Sequence, residues 1–401
     1  MTHTPRILLC SAWQIVNIGD IAHTPAALAL LERHFPEAQV TLWPFKPLTP
    51  AATDLLMRRF PRLQIVAGEA TPDGEATPEL ARAMDEADFF LHGSGPATLG
   101  WARAEAFQAR TGRGFGVYGV TYGLYGTPES ETLSRARFVY FRDSLSLERA
   151  KSEGISAPIM EWSPDVAFAF DIRDDERAAA FLGANSLQEG EFVCCIPRFR
   201  NTPFWELHPG TPFDPEKQAR NDAFKTRDHA PLREAIVRVA CETNLQVLIC
   251  PEDQSQIALG REQLFEPLPD DVKKRVVLRD RFWLPDEALA TYEKSAGLFG
   301  CEMHSPIMCV GNGVPAIVCR FAEQSTKGLM WRDIGLGEWL FDLDDAADLP
   351  RIAPTVLAMA QDPKGAKQKA AKARHMVFAR YAETMGVVKR EVLAARGEDS
   401  P

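Results

Sequence analysis

The sequence predicts an α/β protein built from two Rossmann-like halves, and three observations carry that prediction. Short apolar runs alternate with helix-like or glycine-bearing stretches, which is how a parallel sheet buried on both faces reads. The alternation halts once, at a charged and alanine-rich interval, and then restarts. At 401 residues the chain is also long for a single core, so two domains are what its size favours.

In the first half the runs are RILLC from Arg6, QVTLWPF from Gln39, LQIVAG from Leu63, DFFLHGSG from Asp88, FGVYGV from Phe115 and RFVYF from Arg137. Asp171 to Gly190 is the interruption and is expected to be a linker. FVCCIP from Phe192, LQVLIC from Leu245, RVVL from Arg275, AGLFGCEM from Ala296 and VPAIVC from Val314 follow, separated by helical stretches such as Leu232 to Thr243. Towards the C-terminus, Phe378, Tyr381, Met385, Val388 and Val392 fall at helical spacing on a charged helix. The expected organisation is an N-terminal domain over 1–170, a linker over 171–190, a C-terminal domain over 191–362 and a helix over 363–401 that packs back across the domains.

Composition narrows the function. A formal net charge of -10 argues against a phosphate-backbone groove, which needs clustered Lys and Arg, so nucleic acid is not an expected partner. The polar lead Met1 to Arg6 and the lack of a bilayer-length apolar run predict no signal peptide, no transmembrane segment and a cytoplasmic protein. The eight cysteines fit reduced thiols packed as small hydrophobes, since Cys10, Cys194, Cys195, Cys250 and Cys319 lie in or beside apolar runs. Cys301, His304 and Cys309 lack the spaced pairs of a zinc site, so no metal and no cofactor are expected.

Ligands of open α/β sheets sit outside the carboxyl ends of the strands, and those loops carry the chemistry-bearing residues. After the first run come Asn17, Gly19 and Asp20, ahead of a helix expected to begin near Thr24 or Pro25 with backbone N–H groups facing an anion. After the fourth come His92, Gly93, Ser94 and Gly95, which also read as a tight turn and do not fit a dinucleotide fingerprint. Arg142, Asp143 and Ser144 stand at a strand end, where Asp143 or Ser144 reads equally as a helix N-cap. Arg198 and Arg200 follow the first run of the second half, where a cation facing the cleft suits an anionic ligand. His304 sits at a strand end before Ser305 and Pro306. Trp13 and Trp205, on loops, offer apolar faces to sugar rings.

In this order, Asn17-x-Gly19-Asp20, His92 to Gly95, Arg142-Asp143-x-x-Ser146, Pro164-Asp165-x-Ala167-Phe168, Arg198 and His304 with Gly313-Val314-Pro315 resemble the polysaccharide pyruvyl transferase superfamily. The resemblance implies a glycosyltransferase-B-like architecture, phosphoenolpyruvate as donor, and a glycan or lipid-linked saccharide hydroxyl, or pair of hydroxyls, as acceptor. The product it implies is a pyruvate ketal. Together with the reading of the residues themselves, this points to His304, Glu302 and Asp20 for catalysis, Arg198, Arg200, Ser305, Asn17 and Gly19 for the donor, and Gly93, Ser94, Gly95, Trp13 and Trp205 for the acceptor. One position departs from the pattern. Glu302 stands where the family carries arginine, two residues before His304, either as a catalytic partner or as a carboxylate holding the loop. That departure keeps a nucleotide-sugar glycosyltransferase open, in which Glu302 and the helix start at Ser305 to Met308 serve the nucleotide. A sugar-binding module without activity is disfavoured by Asp20, Arg198 and His304.

Overall fold

The structure is a computed structural model that describes residues 4–123 and 126–397. Part of the expected N-terminal lead and the last residues of the expected C-terminal segment lie outside the described residues. The chain divides into two compact units. One spans Met1–Ile15, Asp20–Asp171 and Met376–Pro401; the other spans Val16–Gly19 and Ile172–His375.

The first unit holds seven parallel strands: β1 Arg6–Ser11, β2 Gln39–Pro44, β3 Gln64–Ile65, β4 Phe89–His92, β5 Phe115–Val120, β6 Val139–Phe141 and β7 Met160–Trp162. Their order is β3-β2-β1-β4-β5-β6-β7. The second holds six: β8 Phe192–Ile196, β9 Gln246–Ile249, β10 Val276–Leu278, β11 Gly297–Gly300, β12 Ala316–Arg320 and β13 Leu340–Asp342, in the order β10-β9-β8-β11-β12-β13. Both sheets therefore reverse direction beside their first strand, at β1/β4 and at β8/β11. Such reversals are where ligand crevices form in doubly wound sheets. Every residue of β4, β5, β6, β8 and β11 is buried, which is why these segments read as unbroken apolar runs rather than alternating ones.

Three expectations change. The helix after β1 runs from Ile18 to His34 and encloses Pro25 instead of starting there. Asn17 Oδ1 accepts the Gly19 N–H at 2.7 Å and opens the helix early, while buried Ile18, Ala22, Ala26 and Leu30 carry it past a proline that lacks one helical donor. The stretch 171–190 is no bare linker. Asp174 caps a helix, Asp175–Ala184, by accepting the Arg177 N–H at 3.0 Å, and Phe181 and Leu182 are buried in the second unit. Finally, two short edge strands, β7 and β13, complete the sheets where no strand is predicted.

The C-terminal helix, Pro363–Gly397, belongs to the second unit as far as His375 and to the first from Met376. In the first unit Tyr381, Met385, Val388 and Val392 are buried as the spacing predicts, while Phe378, the first residue of the predicted stripe, is only half-buried. Thr384 Oγ1 lies 2.6 Å from the Tyr118 hydroxyl, and the Tyr381 hydroxyl donates to the Asp165 carbonyl. Among the described residues no helix is long and apolar enough to cross a membrane.

Candidate active site

In the second unit, Arg198 stands two residues past β8 and Glu302 two past β11, on the adjoining strands of the reversal. Arg198 Nη1 donates to Glu302 Oε2. Gln256 Nε2 donates to Glu302 Oε1 at 2.6 Å and to Asp253 Oδ2 at 3.2 Å. The amide is oriented because its Oε1 accepts the Glu252 and Asp253 backbone N–H groups at 2.6 and 3.3 Å. Glu302 is 1% exposed, whereas the Arg198 side chain keeps 19% of its surface. Arg198 Nε is buried and has no hydrogen-bond partner among the described residues.

His304 opens the helix His304–Gly311. Its Nδ1 is 3.3 Å from Glu252 Oε1, and Lys327 Nζ lies 3.1 Å from its Nε2. Glu252 is held by Ser305, whose backbone N–H and hydroxyl each donate to Oε2 at 2.7 Å. Tyr292 in turn donates to the Ser305 hydroxyl at 3.2 Å. Lys327 is presented by a short turn, Thr326–Leu329, that follows Ser325 at φ 38°, a strained angle for a residue with a side chain. The stretch Val16–Gly19 closes the corner. Asn17 bridges Asp253, and the Ile18 N–H donates to the Glu252 carbonyl at 3.0 Å. A Cβ on Gly19 would stand 2.0 Å from His304 Cγ, so only glycine lets the backbone pass the imidazole.

The charges here are closely opposed. Burial pushes the Glu302 carboxyl up to about 7, against the pull of Arg198 and with the push of Glu252. Burial, and then Glu302, raises Asp253 to about 6. Burial pulls the Arg198 guanidinium down, yet Glu302, Glu252 and Asp253 outweigh it and raise the group overall.

The corresponding corner of the first unit is a lock of buried polar groups. Arg142 Nη1 donates to Asp165 Oδ2 at 2.8 Å and its Nε to Thr121 Oγ1 at 2.7 Å, with both charged residues almost fully buried. Ser94 Oγ donates to the Gly119 carbonyl at 2.7 Å and lies 3.3 Å from Asp165 Oδ1. Asp165 Oδ1 also accepts the Ala167 N–H at 3.0 Å, and His23 Nδ1 is 3.4 Å from it. Asp143 is the N-cap its local pattern allows, accepting the Ser146 N–H at 2.8 Å.

The structure thus gathers Asn17, Gly19, Arg198, Glu302, His304 and Ser305 into one corner. It gives other duties to several expected site residues. The carboxylate beside His304 is Glu252, because Glu302 is turned to Arg198. Ser305 is fully buried and committed to Glu252, which leaves no open face for a donor. Arg200 is clamped by Asp228 at 2.7 Å, Glu323 at 3.0 Å and Asp344 at 2.7 Å and lies over Phe224, so its guanidinium is satisfied internally. Trp13 is 3% exposed, stacks on His92 at 4.8 Å, meets Phe45 at a tilt at 5.5 Å and donates to the Ser94 carbonyl, so its ring and its N–H are used within the core. A Cβ on Gly95 would meet Trp13 Nε1 at 2.7 Å, and one on Gly93 the Cys10 carbonyl at 3.2 Å, so these glycines serve packing. Asp20, in the first unit, is nearly buried and accepts from Gln14 Nε2. Trp205 sits on a four-residue helix, Phe204–Leu207, edge-on to exposed Phe213 at 5.4 Å.

Glu252, Asp253, Gln256 and Lys327 escape the sequence reading. The first three were findable, since PEDQSQ, Pro251 to Gln256, follows the LQVLIC run at a strand's carboxyl end, the place that singles out Arg198. Lys327 carries no such signal.

The fold is a shared one. HepE of Anabaena in complex with UDP superposes with a TM-score of 0.57 at 12% identity over 98% of this chain and 100% of that one. A putative UDP-N-acetylglucosamine 2-epimerase from Listeria monocytogenes gives 0.58 at 12% over 96% of each. S. aureus MnaA with UDP gives 0.53 at 12% over 92% and 90%. The class is two Rossmann-like α/β domains of the glycosyltransferase-B fold. No curated protein matches the chain in sequence. Residues 17–321 match the polysaccharide pyruvyl transferase family, and the chain belongs to that family, as a transferase of polysaccharide modification.

Proposed function

We propose that the chain transfers a pyruvyl group from phosphoenolpyruvate to a pair of hydroxyls on a glycan or lipid-linked saccharide in the cytoplasm, with His304 as general acid. The observation that supports this most is the His304 corner, where an imidazole held against Gly19 has Glu252 and Lys327 as polar partners and Arg198 stands one strand away. A ketal from an enol phosphate needs a proton at the methylene carbon and cations for a carboxylate and a phosphate. His304 delivers that proton while one hydroxyl oxygen bonds to the enol carbon. The second hydroxyl then displaces phosphate, and the two hydroxyl protons restore His304 and leave with the phosphate. Arg198 and Lys327 hold the anionic groups.

One observation favours a nucleotide-sugar donor instead: Arg198 is already paired to a carboxylate, which suits the lower charge of a nucleotide-sugar diphosphate better than phosphoenolpyruvate with its carboxylate and phosphate together. Thermal melting with phosphoenolpyruvate against a panel of nucleoside diphosphates separates the two, because a ligand that binds only the folded chain raises its melting temperature. Phosphate release from phosphoenolpyruvate on adding acceptor glycan would then support the ketal reaction. A melting shift with nucleotides alone would sink it.

A further inference from the structure

We infer that Glu302 is a built-in counter-anion for Arg198, and that an anionic ligand is admitted only as a proton is taken up by the Glu302 carboxyl. The inference rests on the reading that Arg198 receives an anion, and it adds how that site is gated and tuned.

The geometry is that of an occupied clamp. Arg198 gives Nη1 to Glu302, has a buried Nε with no partner among the described residues, and keeps part of its side chain open. Its unspent donors suit an incoming phosphate or carboxylate. Glu302 cannot easily leave, for it is almost fully buried and its other oxygen is fixed by Gln256 at 2.6 Å, itself oriented by two backbone N–H groups. The carboxylate therefore stays beside any anion that engages Arg198.

The surrounding charges come from every side of the corner. Arg198 projects from the end of β8, Glu252 and Asp253 from the loop after β9, and Lys327 from the turn after β12. Glu252 and Asp253 add negative charge: the Glu252 carboxyl acts directly on Glu302, and its Oε1 stands 3.3 Å from His304 Nδ1. Adding an anion to three carboxyl groups served by Arg198 and Lys327 favours neutralising one of them. Glu302 is the one whose burial already brings its titration to about pH 7, so it charges and discharges within the working range. Once protonated it turns from a competitor into a donor that can hydrogen-bond the ligand.

The test is calorimetric binding to the intact chain at pH 8, in pairs of buffers with different ionisation heats, with sulfate and phosphoenolpyruvate as probes. Sulfate does not titrate in this range. The unaltered chain is expected to take up about one proton per anion, and its affinity to weaken up to about tenfold per pH unit above pH 7. Glu302→Gln should take up none and bind at pH 8 about tenfold more tightly, whereas Asp253→Asn should keep the uptake. Sulfate binding with proton uptake but no response to phosphoenolpyruvate would leave the gate standing and overturn the donor. Anion binding without proton uptake, affinity flat from pH 7 to 9, or no sulfate binding at all would overturn the gate. Because uptake is read on the unaltered chain, the outcome does not depend on how a variant folds.

Discussion

Glu302→Gln is also expected to make the protein more stable at alkaline pH. The carboxyl titrates near 7 in the folded chain against 4.5 when unperturbed, a difference of about 2.5 units, worth on the order of 3 kcal/mol. The sign follows from proton counts. Between these two values the folded state binds the proton and the unfolded state does not, so stability is fully present below pH 4.5 and is lost as pH rises through 7. Glutamine keeps the shape and the Gln256 hydrogen bond but never ionises, so the loss should vanish. For a unit of about 200 residues each kcal/mol moves the melting temperature by roughly 2–4 °C, so the variant should melt about 6–12 °C above the parent at pH 8. Near pH 5 the two should converge. Circular-dichroism melting from pH 5 to 8.5 reads this directly. A variant that melts below its parent at pH 8 would show that the ionised pair with Arg198 is net stabilising and that the burial cost is overstated.

Three further outcomes follow from the geometry. His304→Ala should reduce turnover at least a hundredfold while the donor still binds within a few-fold, since proton transfer acts only in the transition state; near-normal turnover would make the imidazole structural. Gly19→Ala should displace His304, because its Cβ would lie 2.0 Å from the ring, so kcat should fall steeply with unchanged overall circular dichroism. Arg142→Ala strips a buried guanidinium that is hydrogen-bonded to Asp165 and should cost about 3–5 kcal/mol in the first unit, of which Asp165→Asn in the same chain should restore part. Urea unfolding of the single and double variants checks this last outcome.

Most of the fold was legible because parallel strands buried on both faces leave continuous apolar runs, and eleven such runs mark eleven of the thirteen strands. The two misses are edges. Met160-Glu161-Trp162 and Leu340-Phe341-Asp342 are three residues long and partly open to solvent, so they carry too little apolar length to register. The site was legible as a set of strand ends rather than as pairings. Arg198, Glu302 and His304 were found because side chains just past strand carboxyl ends face the reversal point. Which carboxylate meets which base was not, since the two-residue spacing of Glu302 and His304 suggests a pair while the chain turns between them. Arg200 shows the same limit. Its partners Asp228, Glu323 and Asp344 are remote in sequence, so nothing local reveals that the guanidinium is already spoken for.

The C-terminal helix finishes the first unit, with Thr384 on Tyr118 and Tyr381 on the Asp165 carbonyl. On the ribosome that unit is therefore left waiting. Its sheet is synthesised first, but the whole of Ile172–His375 must be made before Met376 onward arrives to cover it. At ordinary elongation rates the delay is roughly 10–40 s, ample time for an exposed apolar face to meet a chaperone or another nascent chain. A stop codon or a fusion that disturbs the last turns would thus injure the half of the protein that is translated earliest, and the damage would register as lost yield of soluble chain before any loss of activity per molecule.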